Sequence, residues 1–490
     1  MGSGELGVVA AGHPLTAEVG AQVLREGGNA VDATVAAILS SFVTEALLTG
    51  LGAGGYMMVA GPGVEPTLLD FFAQAPTRLG DGSEAELLAL EVSFGDAVQV
   101  FHVGPASCAA YGTPAGVCEA SRRWGSVSLE RLAEPAARLA REGVEVNSAQ
   151  AYVAELLEEL LISTPECAAL WAPAGRVLRV GETFRSDELG EALERLGSDG
   201  EEPFYRGDIA ASVCDWLGER GGSLRPADLA GYRAIPREPV RVGYRGRTIL
   251  TNPPPAAGGT LLAYALGLLE REPSPPALPG ILQAMKAAQA ERTEEFLEGL
   301  SEDGFLERFM GSRLGSTTHI AVIDGEGLAC SATCTNGECS GVVVPGTGIH
   351  LNNIMGEEDL NPHGFHLHPA GRRMPSMMAP TVVVRGGEVE LVLGSAGSNR
   401  IRSALLQTIL GVVDQGLGVV EAVEAPRVHF EDGVVFAEPG IDLAGLAGGT
   451  RTVRFGERNL FFGGVQAALS RDGVLSGAGD PRRGGAAVLA

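Results

Sequence analysis

Gly311-Ser-Arg-Leu-Gly-Ser-Thr-Thr-His-Ile-Ala-Val-Ile-Asp324 changes character in its middle. Up to Ser316 it continues a polar, Gly-rich stretch that begins at Ser301 and reads as an exposed linker. From Thr318 to Asp324 it alternates and is β-branched, which reads as a strand. Asp324-Gly325 is a turn signal, and Leu328 to Thr335 reads as the returning strand. Thr317 thus stands where a linker ends and a strand begins. An ordinary strand start explains that position. So does self-cleavage before Thr317, which frees an α-amine of reference pKa near roughly 7.7–8.0 to act as base for the residue's own hydroxyl.

On the N-terminal side the texture is helical. Thr16 to Glu26 reads as an amphipathic helix stopped by Gly27-Gly28, and Asn29 caps a second helix with Asp32 in its first turn. Val31, Val35, Ile38 and Phe42 recur at helical spacing with Ala between them, so this helix is expected to be central and buried. Tyr56–Ala60 and Thr67–Phe72 read as strands, Gly116 to Ala230 as mostly helical with Ser128–Glu142 and Ser148–Ile162 its clearest helices, Tyr244–Asn252 as a strand, and Pro279–Leu297 as a helix. Beyond Asp324, further strands are expected at Thr381–Val384, Val389–Leu393 and Val434–Ala437, with a helix at Ser403–Gly416. The pattern is a helix-rich first part, a linker and a sheet-rich second part.

Composition narrows the function. The 490 residues are 45% apolar and 20% charged, enough for a large core and unlike a disordered chain. The net charge of -25 disfavours nucleic acid and anionic membranes as partners. Lys286 is the only lysine, which removes most lysine-based catalysis. Cys108, Cys118, Cys167, Cys214, Cys330, Cys334 and Cys339 are sparse and odd in number, and fit free thiols in a reducing compartment. Met1 to Gly12 has no signal-peptide pattern, and the expected location is cytoplasmic. The longest apolar stretch, Ala30 to Met58, carries Asp32 and Glu45 and is no membrane helix.

Other motifs carry less. The Gly50–Gly55 cluster follows a helix and precedes a strand, the wrong order for a dinucleotide loop. His363, His366 and His368 lie in a Pro/Gly-rich loop without metal-ligand spacing, and Cys330 and Cys334 read as buried small hydrophobes. No metal or cofactor is expected. A Gly-x-Ser-x-Gly elbow does not occur.

Taken together, His13-Pro14, Gly27-Gly-Asn-Ala-Val-Asp-Ala33, Gly112-Thr-Pro-Ala-Gly116, Phe204-Tyr-Arg-Gly207, Asn252-Pro-Pro-Pro-Ala-Ala-Gly-Gly259, Thr317-Thr-His319, Gly348-Ile-His-Leu-Asn-Asn353, Pro375-Ser-Met-Met-Ala-Pro-Thr381 and Gly394-Ser-Ala-Gly-Ser-Asn-Arg400 resemble, in order and over nearly the whole chain, the gamma-glutamyltranspeptidase family of N-terminal nucleophile hydrolases. The resemblance implies an α+β fold, a four-layer α-β-β-α sandwich. It implies autocleavage between Ser316 and Thr317 into fragments 1–316 and 317–490 that stay associated as one composite fold. Thr317 is then the nucleophile, Thr335 its hydrogen-bonded second threonine, and Gly397 and Ser398 the oxyanion loop, formed by backbone N–H groups. The implied partners are a small amide substrate and water or an amine acceptor; a homodimer is left open. The mechanism needs no cofactor.

The departures concern the substrate shell. The family's Asp-Phe-Arg, whose Arg holds a carboxylate, is Asp70-Phe71-Phe72 here. Asn336 is an off-register candidate for the family's Asn, Ile354 and Glu357 replace a Gln and an Asp, and Ser376-Met377 replaces a Ser-Ser pair. Either Phe72 lines the acyl pocket, or it packs in the core while Arg372, Arg373 or Arg400 binds the carboxylate. The expected activity is cleavage or transfer of gamma-glutamyl groups from glutathione-like amides. Alternatives are an acylase for glutaryl or cephalosporin-type N-acyl amides, and an inactive binding relative.

Overall fold

The computed structural model describes residues 5–77, 87–93, 98–290, 318–361, 364–431, 433–446 and 450–490. Ser316, Thr317, the 301–316 linker, His363 and the end of the expected Pro279–Leu297 helix lie outside them.

Two antiparallel sheets form the centre. In the first, the strand order is Ala486–Leu489, Gly7–Ala11, Thr318–Asp324, Ala329–Thr335, Gly54–Gly61, Val64–Phe71 and Ile235–Arg237. In the second it is Val474–Gly479, Gly464–Arg471, Glu388–Ala396, Thr381–Arg385, Arg247–Thr251 and Val240–Tyr244. Each sheet mixes strands from both sides of the linker, so neither part is complete alone.

Strand alternation sorts the core into layers. Val8, Ala10, Tyr56, Met58, Ala321 and Ile323 point between the sheets, where they meet Leu250, Val382, Val392 and Ala468 of the other sheet. Their chain neighbours Val9, Ala11, Met57, Val59, Ile320 and Val322 point outward against the helices Pro14–Arg25 and Ala30–Thr44. The second sheet's outer face packs on Ala257–Leu269 and Ile401–Val413. The layers therefore run helix, sheet, sheet, helix, as the resemblance implies.

Every residue of Ala30–Thr44 is buried, as its apolar surface requires. Its start is fixed by a reciprocal cap: Asn29 Oδ1 accepts from the Val31 and Asp32 N–H groups, and the Asn29 N–H donates to Asp32 Oδ2. Asp32 also accepts from the N–H and hydroxyl of Ser126 and from the Val127 N–H, so this buried carboxylate ties the helix to a distant loop.

Two expectations are corrected. Tyr244–Asn252 is no single strand but the turn and second arm of a hairpin, Val240–Tyr244 and Arg247–Thr251, reversed at Arg245 (φ 47°) and Gly246 (φ 74°). Ser148–Ile162 is broken at Leu157 into Ser148–Leu156 and Glu158–Leu161.

Candidate active site

Antiparallel pairing gathers strand ends of the first sheet along one edge. Ala11 sits opposite Ile320 and Ala486, Thr318 opposite Cys334, Thr335 opposite Gly54, and Gly55 opposite Phe71. Ala396 and Gly464, paired in the second sheet, lead into the Gly397 and Gly463 loops, which touch each other. Thr317 itself is not among the described residues, but Thr318 beside it is held against the neighbour of Thr335.

Thr335 is buried, and its Oγ1 accepts from the Gly337 N–H at 2.8 Å. That leaves its hydroxyl hydrogen able to donate elsewhere. Asn336 is fully buried and donates from Nδ2 to the His350 carbonyl at 3.3 Å. The Glu338 N–H donates to Asn353 Oδ1, and the carboxylate of Glu357 lies against Gly337. Thr335, Asn336 and Glu357 thus share one loop cluster. Asn352 locks that cluster to the Gly-rich turn, donating to the carbonyls of Gly52 and Ala109.

The other expected substrate residues are placed differently. Phe72 is 0% exposed, in the core between the sheets, its ring 5.6 Å from Tyr56. Met377 is in the core under the second sheet's helices. As placed, neither side chain offers a surface to substrate: both are apolar groups that the layers enclose. Ser376 accepts from the Met378 N–H with its hydroxyl, and its carbonyl accepts from Ala257, at the start of a helix. Two of the three candidate replacement arginines are already engaged. Arg373 is spent on Asp70 at 3.3 Å and on the carbonyls of Phe72 and Arg233, Arg400 donates to the Phe461 carbonyl, and Arg372 is exposed. Asp70 is also paired with Arg237 at 2.7 Å.

Gly397 has φ 115° and Ser398 φ 50°, a left-handed pair at the end of a strand and the start of a short helical turn. Asn399, next in sequence, donates to the Glu431 carboxylate, which also meets His429. His429 bonds Ser403 through Nδ1 at 2.8 Å. Buried polar groups thus anchor the loop from behind.

A narrow cleft opens at Glu45, the side chain that Thr318 bonds to. Its walls are mainly apolar, including Val43, Leu47, Val144, Val153 and the stacked Trp171 and Phe184 rings. Glu45 and Arg483 line it too. Sequence reading did not find these two: one is a lone carboxylate after a buried helix, the other one of many arginines. The Thr318 hydroxyl donates to Glu45 Oε1 at 2.8 Å. Burial pushes the Glu45 carboxyl up to about 7, against the opposing pull of Thr318 and Arg483. A raised carboxyl pKa means the folded state holds its proton longer than the unfolded one. Stability is then lost as pH rises from the unfolded carboxylate range through 7, by up to roughly 3 kcal/mol. Glu45→Gln is expected to flatten that decline while keeping the Thr318 bond, as denaturant titrations from pH 5 to 8 can read. Parallel pH profiles for the two proteins would refute the assignment.

The chain matches the gamma-glutamyltranspeptidase family over residues 16–303 and 302–490. The chain belongs to that family. Among gamma-glutamyltranspeptidase relatives, it is 30% identical to the Acylase ACY 1 proenzyme of Pseudomonas sp. (strain SE83), over 99% of this chain and 94% of that protein. It is 30% identical to the glutathione hydrolase proenzyme of Bacillus subtilis (strain 168), over 99% of this chain and 92% of the relative. The solved structure of cephalosporin acylase from Bacillus halodurans superposes with TM-score 0.85 at 26% identity, covering 99% of this chain and 96% of that one. As a gamma-glutamyltranspeptidase-family protein it is an enzyme with the N-terminal nucleophile hydrolase fold.

Proposed function

We propose that this chain is a self-processing threonine amidohydrolase that cleaves or transfers gamma-glutamyl groups, with Thr317 as nucleophile and its freed α-amine as base. What carries the reading is the register at the sheet edge. Family membership spans both sides of the linker, and Thr318 is paired with the residue next to Thr335. Attack of the Thr317 hydroxyl on the substrate carbonyl places negative charge on its oxygen, and backbone N–H groups of the Gly397–Ser398 loop are suited to receive it. The carbonyl then re-forms, the amine departs with a proton, and water or a second amine takes the acyl group. The fragments 1–316 and 317–490 stay together because both central sheets draw strands from each. The seven free thiols, six of them buried, support a reducing, cytoplasmic setting.

A second reading is favoured by one observation: the family's carboxylate-reading Arg is Phe72 here, and Phe72 is in the core. That suits an acylase for other N-acyl amides, as do the names of two of the similar proteins. A panel of anilides separates the two. The gamma-glutamyl donor is expected to exceed its glutaryl counterpart in kcat/KM by about ten-fold. The reverse order would install the acylase reading, and a processed protein that turns over none of them would leave a binding role.

A further inference from the structure

Arg483 follows two residues whose charges are already matched. Asp480 pairs with Arg427 at 2.7 Å, and Arg482 pairs with Glu438 and Asp480. Arg483 differs. Among the described residues its side chain forms no ion pair or hydrogen bond, and its Nε is buried without an acceptor. Its methylenes run across Gly464, where any side chain would meet them, and its Nη2 lies 3.6 Å from the place a Cβ would take on Gly397. The guanidinium is therefore delivered to the oxyanion loop while lining the largely apolar cleft at Glu45. Burial pulls its pKa down to about 10, with Arg400 adding repulsion and Asp480, Glu45 and Glu338 opposing it. A half-buried cation that its own fold leaves unpaired is costly, and an anion entering the cleft would relieve that cost.

We propose that Arg483 is the carboxylate receptor of the substrate cleft, holding an anionic group of the amide substrate beside the Gly397–Ser398 loop. The position fits because the guanidinium fork offers paired donors to a carboxylate, and the apolar walls keep water from competing. It also supplies a cation that the Asp70-Phe71-Phe72 sequence lacks, from the opposite part of the chain. The anionic group can sit on the acyl side or on the leaving amine; the chemistry recognised is the same. This inference rests on the amidohydrolase reading above.

The test uses processed wild type, Arg483→Met and Arg483→Lys, with processing checked by intact mass. Two substrate pairs are compared. Glutaryl and butyryl anilides differ in an acyl-side carboxylate; the butyryl amides of glycine and methylamine differ in an amine-side one. Arg483→Met is expected to raise KM roughly ten-fold or more for the charged member of one pair and leave its uncharged partner unchanged. Arg483→Lys should recover part of the loss, and the pair that responds names the side. Equal effects on charged and uncharged members, or none on either pair, overturn the proposal. Calorimetric titration with glutarate and with N-acetylglycine gives a readout that needs no turnover. Binding of one of them by wild type, lost in Arg483→Met, supports the receptor; no binding, or equal binding, overturns it. Carboxylate binding in a protein that hydrolyses no amide would sink the amidohydrolase reading and leave the receptor standing.

Discussion

Thr317→Ala is expected to leave one chain of 50.6 kDa under denaturing conditions, whereas the parent protein separates into two fragments divided between Ser316 and Thr317. The reasoning begins at Thr318. That residue is buried and paired with Cys334, and its hydroxyl is committed to Glu45, so it is a structural threonine. Thr317 is the neighbouring hydroxyl, and the self-cleavage that frees its amine also supplies the base that activates it. Removing the hydroxyl deletes both the processing reaction and the acyl-enzyme. Amide turnover should fall by roughly 10⁴-fold or more, as for loss of any covalent nucleophile. Thr318→Val is the control. It leaves Glu45 Oε1 without its donor and costs stability, but the chain should still split. Splitting that survives in Thr317→Ala, or a parent chain that stays whole after long incubation, would remove Thr317 from its role.

Much of the first sheet and its helices could be read locally. Asn29 and Asp32 announce a helix start because capping needs only neighbours in sequence. Thr318–Asp324 and Ala329–Thr335 announce themselves by alternation around Asp324-Gly325. The C-terminal strands Gly464–Arg471, Val474–Gly479 and Ala486–Leu489 escaped, because Gly, Ala and Ser carry little intrinsic strand preference. Their state comes from the partners they add to. The hairpin at Arg245–Gly246 escaped too: an Arg at φ 47° gives no turn signal of the Asn-Gly kind. In the site, Thr335, Asn336 and Glu357 come together on one loop cluster because the strand before them and the paired Asn352-Asn353 position it. Phe72 and Met377 could not be assigned from sequence, since an apolar side chain looks the same whether it faces a cleft or a core. Glu45 and Arg483 meet only through tertiary structure, from opposite ends of the chain.

The oxyanion loop supplies the second large effect. Gly397 holds φ 115°, and a Cβ there would stand 2.6 Å from the Cα of Gly463. Both conditions exclude a side chain: the dihedral is strained for an L-residue, and the clash is with backbone that cannot rotate away. Gly397→Ala must therefore shift the loop, whose far side is fixed through Asn399 and Glu431. The displaced N–H groups would no longer meet the developing oxyanion, and kcat should fall by about 10²–10³-fold with KM little changed. Ser398 makes the opposite case. It already sits at φ 50°, where glycine is at ease, so Ser398→Gly should keep kcat within about three-fold and leave global stability nearly unchanged. The pair separates a loop that acts through backbone N–H groups from one that acts through the Ser398 hydroxyl. A Ser398→Gly protein as impaired as Gly397→Ala, both folded by circular dichroism, would transfer the oxyanion contact to that hydroxyl.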